Sequence, residues 1–477
     1  MTRTLHILHT NDLHSRFERM PQIATCLKER RQAWEAKGDY VLTVDIGDHS
    51  DRMSLPTEAT WGHANVDVVN HSGYQYVTIG NNEGITLPKE RLDELFEQAE
   101  FTIVLSNLYD AATHERPHWA VPYAIHEWEG VRAAVLGVTA VFDVYEQLGW
   151  EAKEPLPLIA KQVEQLRPHV NVLIVLSHLG LQKDRQMARE IEGIDVILGG
   201  HTHHLLERGE RSDHTLIAQA GRWGEYVGHV QLVLDEGTGR VVESSAEVFA
   251  AQQFPDDAVV RSVIKRQEEE AELILNQTVG TLSVDFGVDW ERETPFASFL
   301  AASLRLWANA DIGLANSGLL LAPLSEGAVT RKDLLLCMPH PIKPCAVTLT
   351  GAQLFQLIAH SVQPQIVYKE LRGFGFRGKM VGWMGVDGIT VHYEAGVLPV
   401  ICGIEVNGDP LDMQREYRIG TVDLFAFSPL FPELSQGKNY RFFLPEVLRE
   451  VLAVTLGDDV LVKASFVPRW LDCRSKE

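Results

Sequence analysis

The chain has 477 residues, of which 45% are hydrophobic and 23% charged; single cores stop growing at roughly 250 to 300 residues, so two domains are expected. A formal charge of −22, from 43 Lys and Arg against 65 Asp and Glu, argues against a nucleic-acid backbone as partner but leaves room for a small phosphorylated molecule. Five scattered cysteines form no CxxC pair, no run of 18 apolar residues could span a membrane, and the opening MTRTLHILHTNDLH lacks an export signal, so free thiols and a cytoplasmic location are expected.

Short apolar runs recur through the first half: LHILH at 5–9, YVLTVDI at 40–46, YVTIG at 76–80, FTIVLS at 101–106, AAVLGV at 133–138, NVLIVLS at 171–177 and DVILGG at 195–200. Each reads as a strand. Between them lie helix-like segments at 21–37, closed by Gly38, at 57–71, closed by Gly73, and at 88–98. The alternation predicts an α/β domain whose sheets are covered by helices and whose ligands gather beyond the carboxyl ends of strands.

Chemistry-bearing residues sit at those ends. Asp12 and His14 follow the first strand, Asp48 the second and Asn81 the third, His178 ends NVLIVLS, and His201 and His203 follow DVILGG. An oxygen and nitrogen donor set without thiolate suits Mn, Zn, Fe or Co better than Ca or Mg. Seven ligands exceed one four-coordinate ion. With one carboxylate shared they fit two ions roughly 3.5 to 4 Å apart, an arrangement used for phosphoester hydrolysis. His6, His9, His71, His118, His126, His360 and His392 show no ligand-like spacing and read as surface or core histidines.

A helix start at Pro255 and two aspartates opens 255–276, whose charged middle KRQEEEAE reads as a largely solvated connector, with hinge motion between the domains. The second half, 277–477, mixes helices and short strands. Its glycine- and aromatic-rich stretch LRGFGFRGKMVGWMGVDG, 371–388, suits a planar ring or an anion, and suits an ordinary surface loop equally well.

HTNDLH at 9–14, DIGDHS at 45–50, GNNE at 80–83, LSHLG at 176–180 and GGHTH at 199–203 together resemble the calcineurin-like metallophosphoesterases. Within these the chain is similar to the bifunctional 5′-nucleotidase and UDP-sugar hydrolase family, its YunD-like group. ETPFASFLA, DIGLANSG and TLTGAQL extend the resemblance through the second half. The resemblance implies a four-layer β-sandwich flanked by helices over 1–254, a linker helix over 255–276 and an α+β substrate-binding domain over 277–477. It also implies hydrolysis of nucleotides or related metabolites, as in nucleotide catabolism, by in-line attack of a hydroxide held between two ions. Asp12, His14 and His203 would hold one metal, Asn81, His178 and His201 the other, and Asp48 would bridge.

Departures from the family matter. Its usual GNHEFD, whose His and Asp form a dyad that helps the leaving group, reads GNNEGI here, with Asn82 and Ile85 in the dyad positions. An amide can donate a hydrogen bond but cannot protonate an alkoxide, so poor leaving groups should turn over slowly; His49 and His204 are candidate replacement acids. The family's NGGGIR reads NSGLLL, which keeps Asn316 and Gly318 but puts Leu321 at the arginine position. Arg372 or Arg377 could stand in, and a base could lie between Phe374 or Phe376 and Phe425, Phe427 or Phe431. Two alternatives stay open: a 2′,3′-cyclic or linear phosphodiesterase, and a metal-bearing nucleotide sensor with little turnover.

Overall fold

A computed structural model describes residues 3–371, 373 and 375–476. The backbone divides into two compact units between Ala271 and Glu272. In the first unit, strands β1 (Arg3–Thr10), β2 (Tyr40–Asp45), β3 (Tyr76–Val77), β4 (Thr102–Val104) and β5 (Ala120–Val121) belong to one sheet. Strands β6 (Tyr123–Trp128), β7 (Val131–Thr139), β8 (Val172–His178), β9 (Val196–Gly199), β10 (Glu210–Ser212) and β11 (Thr215–Ala218) form a second. The chain then returns with β12 (Tyr226–Leu234) and β13 (Val241–Ala250) to give the orders β13-β12-β1-β2-β3-β4-β5 and β10-β11-β9-β8-β7-β6.

The central strands are parallel: β1 with β2, β2 with β3, and β8 with both β7 and β9. Parallel strands covered on both faces need apolar residues at every position, and VLIVL of β8 supplies them. Val172, Ile174 and Leu176 join Leu5, Ile7, Leu42 and Val44 in the core between the sheets. Leu173 and Val175 face the opposite way, into a second core with Ile159, Val163 and Met187. The carboxyl ends of β1, β2, β8 and β9 are where the candidate ligands begin.

Helix α1 (Met20–Glu35) lies where it was expected. The segment at 57–71 is instead two helices, α2 (Leu55–Thr60) and α3 (His63–Ser72), because Trp61 and Gly62 adopt left-handed conformations, with φ of 53° and 91°, that an α-helix cannot continue. Helix α4 (Asn81–Thr86) starts directly on a candidate ligand, and α5 (Leu181–Glu190) follows β8.

The connector is a helix whose charged middle is solvated, as expected, with Lys265, Arg266, Glu268, Glu269 and Glu270 exposed, but it also carries a buried stripe. Helix α6 (Ala258–Leu275) buries Val260, Val263, Ile264 and Ala271, and its Arg266 pairs with Asp67 of α3 at 2.6 Å. One apolar stripe beneath a charged face is enough to dock the helix on the first unit. The division between the units falls inside this helix.

The second unit holds a five-stranded sheet in the order Met384–Asp387, Ile312–Asn316, Glu416–Val422, Pro344–Thr350 and Lys438–Phe442. A four-stranded sheet runs in the order Asp409–Pro410, Val400–Val406, Ile389–Glu394 and Trp470–Asp472. ETPFASFLA opens α7 (Pro295–Trp307), whose first turn is capped by the Thr294 hydroxyl accepting from the amide of Ala297. No helix among the described residues is long and apolar enough to cross a membrane, and all five cysteines are unpaired.

Candidate metal centre

The turns that end the strands are tight. Asp12, His14, Asp48, His201 and His203 all have positive φ, between 47° and 70°, a region non-glycine residues adopt at a cost that concentrates at functional sites. Gly47 and Gly80 make the close approach possible: a Cβ on Gly80 would lie 2.1 Å from Oδ1 of Asp48, and one on Gly47 would lie 2.3 Å from the Gly80 amide. Glu83, buried in α4, binds the two loops together. Its carboxylate accepts from the amides of Asp48, Ser50 and Gly80 and from the Ser50 hydroxyl, at 2.8 to 3.1 Å.

These loops bring the histidines onto two buried carboxylates. Oδ1 of Asp12 lies 3.4 Å from Nε2 of His203 and 3.9 Å from Nε2 of both His14 and His178. Oδ1 of Asp48 faces His178 at 3.5 Å, while its Oδ2 faces His14 at 4.0 Å. The donors form two overlapping groups, Asp12 with His14 and His203, and Asp12 with Asp48 and His178, each within 4.8 Å. His201 lies against His178, ring centroids 5.3 Å apart. The amides of His201 and Asn82 donate to Asp12 and Asp48 respectively.

Burial and charge decide what the site suits. Asp12 and His178 are fully buried and Asp48 is 2% exposed, so the carboxylates need compensating positive charge. Burial opposes charging of His178, but Asp48 and Asp12 outweigh it and raise its pKa to about 10. Burial likewise opposes ionisation of Asp48, yet His178 and His14 hold its carboxyl well below the usual range. The Nδ1–H of His178 donates to the Ile46 carbonyl at 2.7 Å, leaving Nε2 to face the carboxylates; Nε2 of His178 and Oδ1 of Asn81 are buried without hydrogen-bond partners. Orphaned donors around buried carboxylates fit divalent transition-metal ions.

The expected acids fare differently. His49 is buried, its Nδ1 lies 3.1 Å from the Asn65 amide nitrogen, and burial with neighbouring His14 pushes its pKa down to about 3. Burial thus disfavours a charged imidazole at this candidate acid. His204 is exposed, with Nδ1 2.9 Å from the Thr202 hydroxyl.

In the second unit, Phe425 and Phe431 have no exposed surface and pack edge to face at 4.8 Å. They are core residues, contrary to their reading as a base platform. Phe376 is buried and stacks in parallel on His340 at 5.4 Å, and the Arg377 amide donates to Nδ1 of that histidine. Asn316 is buried, and the Gly318 amide is paired to the Val381 carbonyl at 3.0 Å, so the NSGLLL turn is closed over by 376–383. Leu321 is partly exposed and its amide donates to the Cys337 carbonyl. Arg372, Phe374 and the side chain of Phe427 lie outside the described residues.

Residues 5–205 match the calcineurin-like phosphoesterase family and residues 278–428 the 5′-nucleotidase C-terminal domain. The chain is 39% identical over 463 residues to the uncharacterized metallophosphoesterase YunD of Bacillus subtilis, covering 96% of this chain and all of that one. It is 23% identical to Protein UshA of Yersinia enterocolitica, over 94% of this chain and 91% of that one. In fold it resembles the NAD nucleotidase of Haemophilus influenzae, with a TM-score of 0.68 at 16% identity, over 99% and 100% of the two chains. The chain belongs to the calcineurin-like phosphoesterases that carry a 5′-nucleotidase C-terminal domain, metal-binding hydrolases of phosphoesters.

Proposed function

We propose that the protein hydrolyses phosphoesters of nucleotides or related phosphorylated metabolites at a dinuclear centre. One observation carries this reading: two buried carboxylates, Asp12 and Asp48, are shared among histidines whose donor atoms fall into two overlapping groups. Asp12, His14 and His203 would hold one ion, Asn81, His178 and His201 the other, and Asp48, with an oxygen toward each side, would join them. Two divalent ions drawn from Mn, Zn, Fe and Co supply, when bound, Lewis-acid charge at phosphoryl oxygens and a water acidic enough for in-line displacement.

The chain's own residues set the limits of the reaction. Asn82 holds its carboxamide against His14 and the Ser50 carbonyl and has no proton to give a leaving alkoxide. The leaving group then takes its proton from solvent or from exposed His204. This favours a second reading, a 2′,3′-cyclic or linear phosphodiesterase, since strain in a cyclic ester eases departure without an acid. The unpaired thiols support a reducing compartment.

Phosphate release from AMP, UDP-glucose, 2′,3′-cyclic AMP and bis-p-nitrophenyl phosphate, with and without Mn, tests the reading. Mn-dependent release from AMP supports nucleotidase action, and preference for the diesters supports the second reading. Tight AMP binding without release from any ester would leave a sensor and sink both.

A further inference from the structure

Beside the metal ligands runs a loop, GRWG at 221–224, tied to the ends of two ligand-bearing segments. The Trp223 amide donates to the Asp12 carbonyl at 2.8 Å and the Gly221 amide to the His204 carbonyl at 3.0 Å. Asn11, next to Asp12, donates from its carboxamide to the Gly221 carbonyl at 2.7 Å. Trp223 has a φ of 60°, a conformation that a bulky residue keeps only where its surroundings impose it.

The strained turn presents the indole to two cations. The guanidinium carbon of Arg222 lies 3.8 Å from the ring centroid and that of Arg16, two residues beyond His14, lies 5.1 Å from it. Arg222 is exposed, and the Arg16 side chain is 40% exposed with Glu18 3.8 Å away. Like charges collected on one ring are partly offset by its negative face. Guanidiniums held this way are pre-oriented, which lowers the entropic cost of closing on an anion, and their planar forks match phosphate oxygens two at a time. In a chain of net charge −22, a cation pair anchored to a metal-ligand loop marks local attraction for anions.

We propose that Arg16, Trp223 and Arg222 form an accessory anion clamp on the metal-bearing unit. It holds a second, non-reacting phosphate of the substrate and so favours phosphoesters that carry two phosphates over simple monoesters. Trp223 acts as a positioning residue, spacing the two guanidiniums without touching the reacting phosphorus. The reacting group is taken from the phosphoesterase reading, but the clamp is a binding site that can be tested without turnover.

Calorimetric titration of the Mn-loaded full chain, at fixed free Mn, compares methylenebisphosphonate with orthophosphate. Arg222→Ala should weaken bisphosphonate binding about tenfold or more, the scale of one lost charge-assisted contact, with a clearly smaller change for orthophosphate. Arg222→Lys, which keeps the charge without the fork, should fall between. Equal weakening of both ligands, or of neither, overturns the clamp. In the kinetic arm, KM is measured for a nucleoside diphosphate, a nucleoside 3′,5′-bisphosphate and the matching monophosphate. A selective rise for the first places the second phosphate in an anhydride, and for the second in a separate ester. Weakened bisphosphonate binding with unchanged KM ratios would end the role in substrate selection. Absence of turnover on every ester would count against the phosphoesterase reading, while the titration would still decide the clamp.

Discussion

The carboxamide nitrogen of Asn82 lies 3.0 Å from Nδ1 of His14 and also donates to the Ser50 carbonyl at 2.9 Å. With an N–H pointed at Nδ1, the imidazole proton of His14 sits on Nε2, the nitrogen that is 3.0 Å from Nε2 of His203. Holding a cation through Nε2 sends that proton to Nδ1, where a turned Asn82 amide or the Asp51 carboxylate, 3.8 Å away, would accept it. Asn82→Asp supplies an acceptor outright. We expect it to tighten Mn binding about tenfold, the usual scale for an outer partner of a metal-ligating histidine, as read by metal titration of the stripped protein. Unchanged affinity would mean that Asn82 does not govern the His14 tautomer.

Asn82→His tests leaving-group chemistry at the same position. An imidazole there can protonate the departing alkoxide, and general acids contribute about 10²- to 10⁴-fold. The expected outcome is a kcat on AMP raised by at least tenfold, with a smaller gain on p-nitrophenyl phosphate, whose leaving group needs no proton. Equal rates for wild type and variant on AMP would show that the missing dyad is not what limits turnover.

Glu83 joins the Asp48 and Asn81 loops through four donors. In Glu83→Gln one acceptor oxygen becomes an NH2 facing N–H groups, leaving buried donors unpaired at about 1–3 kcal/mol each. Urea unfolding of the metal-free protein should show a loss of about 2–4 kcal/mol, and Mn affinity should drop with it. A variant as stable as wild type would show that the loops hold their shape without this carboxylate.

His9 is 1% exposed, with Nδ1 unpartnered, and burial with nearby His229 pushes its pKa down to about 3. An unfolded chain binds its proton near 6.5. The unfolded state therefore holds more protons between pH 6.5 and about 3, and stability falls as the pH drops through that window, by ~1.4 kcal/mol per pH unit for this group. In His9→Leu the pH dependence of the urea-unfolding free energy between pH 6 and pH 4.5 should be shallower by about one proton. A slope identical to wild type would assign the acid sensitivity to other groups.

Much of the centre was legible because a parallel strand buried on both faces is an apolar run, and its carboxyl end is where the polar residues start. That pattern puts Asp12, Asp48, His178 and His201 at the ends of neighbouring strands. Local conformation was not legible: no residue pattern announces that Trp61 breaks a helix, or that Trp223 and five of the candidate ligands adopt positive φ. Aromatic clusters read alike whether they form a platform or a core, so Phe425 and Phe431 were placed at a ligand and belong to the interior. Arg16 and Arg222 both approach the Trp223 ring, and spacing along the sequence carries no trace of that.

The central claim is a two-ion phosphoesterase, and the most direct measurement is phosphate release from AMP as Mn is titrated into stripped protein, with bound metal counted in parallel. The account predicts no release without metal, a rise that saturates at two ions per chain, and loss of both release and the second ion in His178→Ala. Release that persists under chelation, or that saturates at one ion per chain, would contradict it.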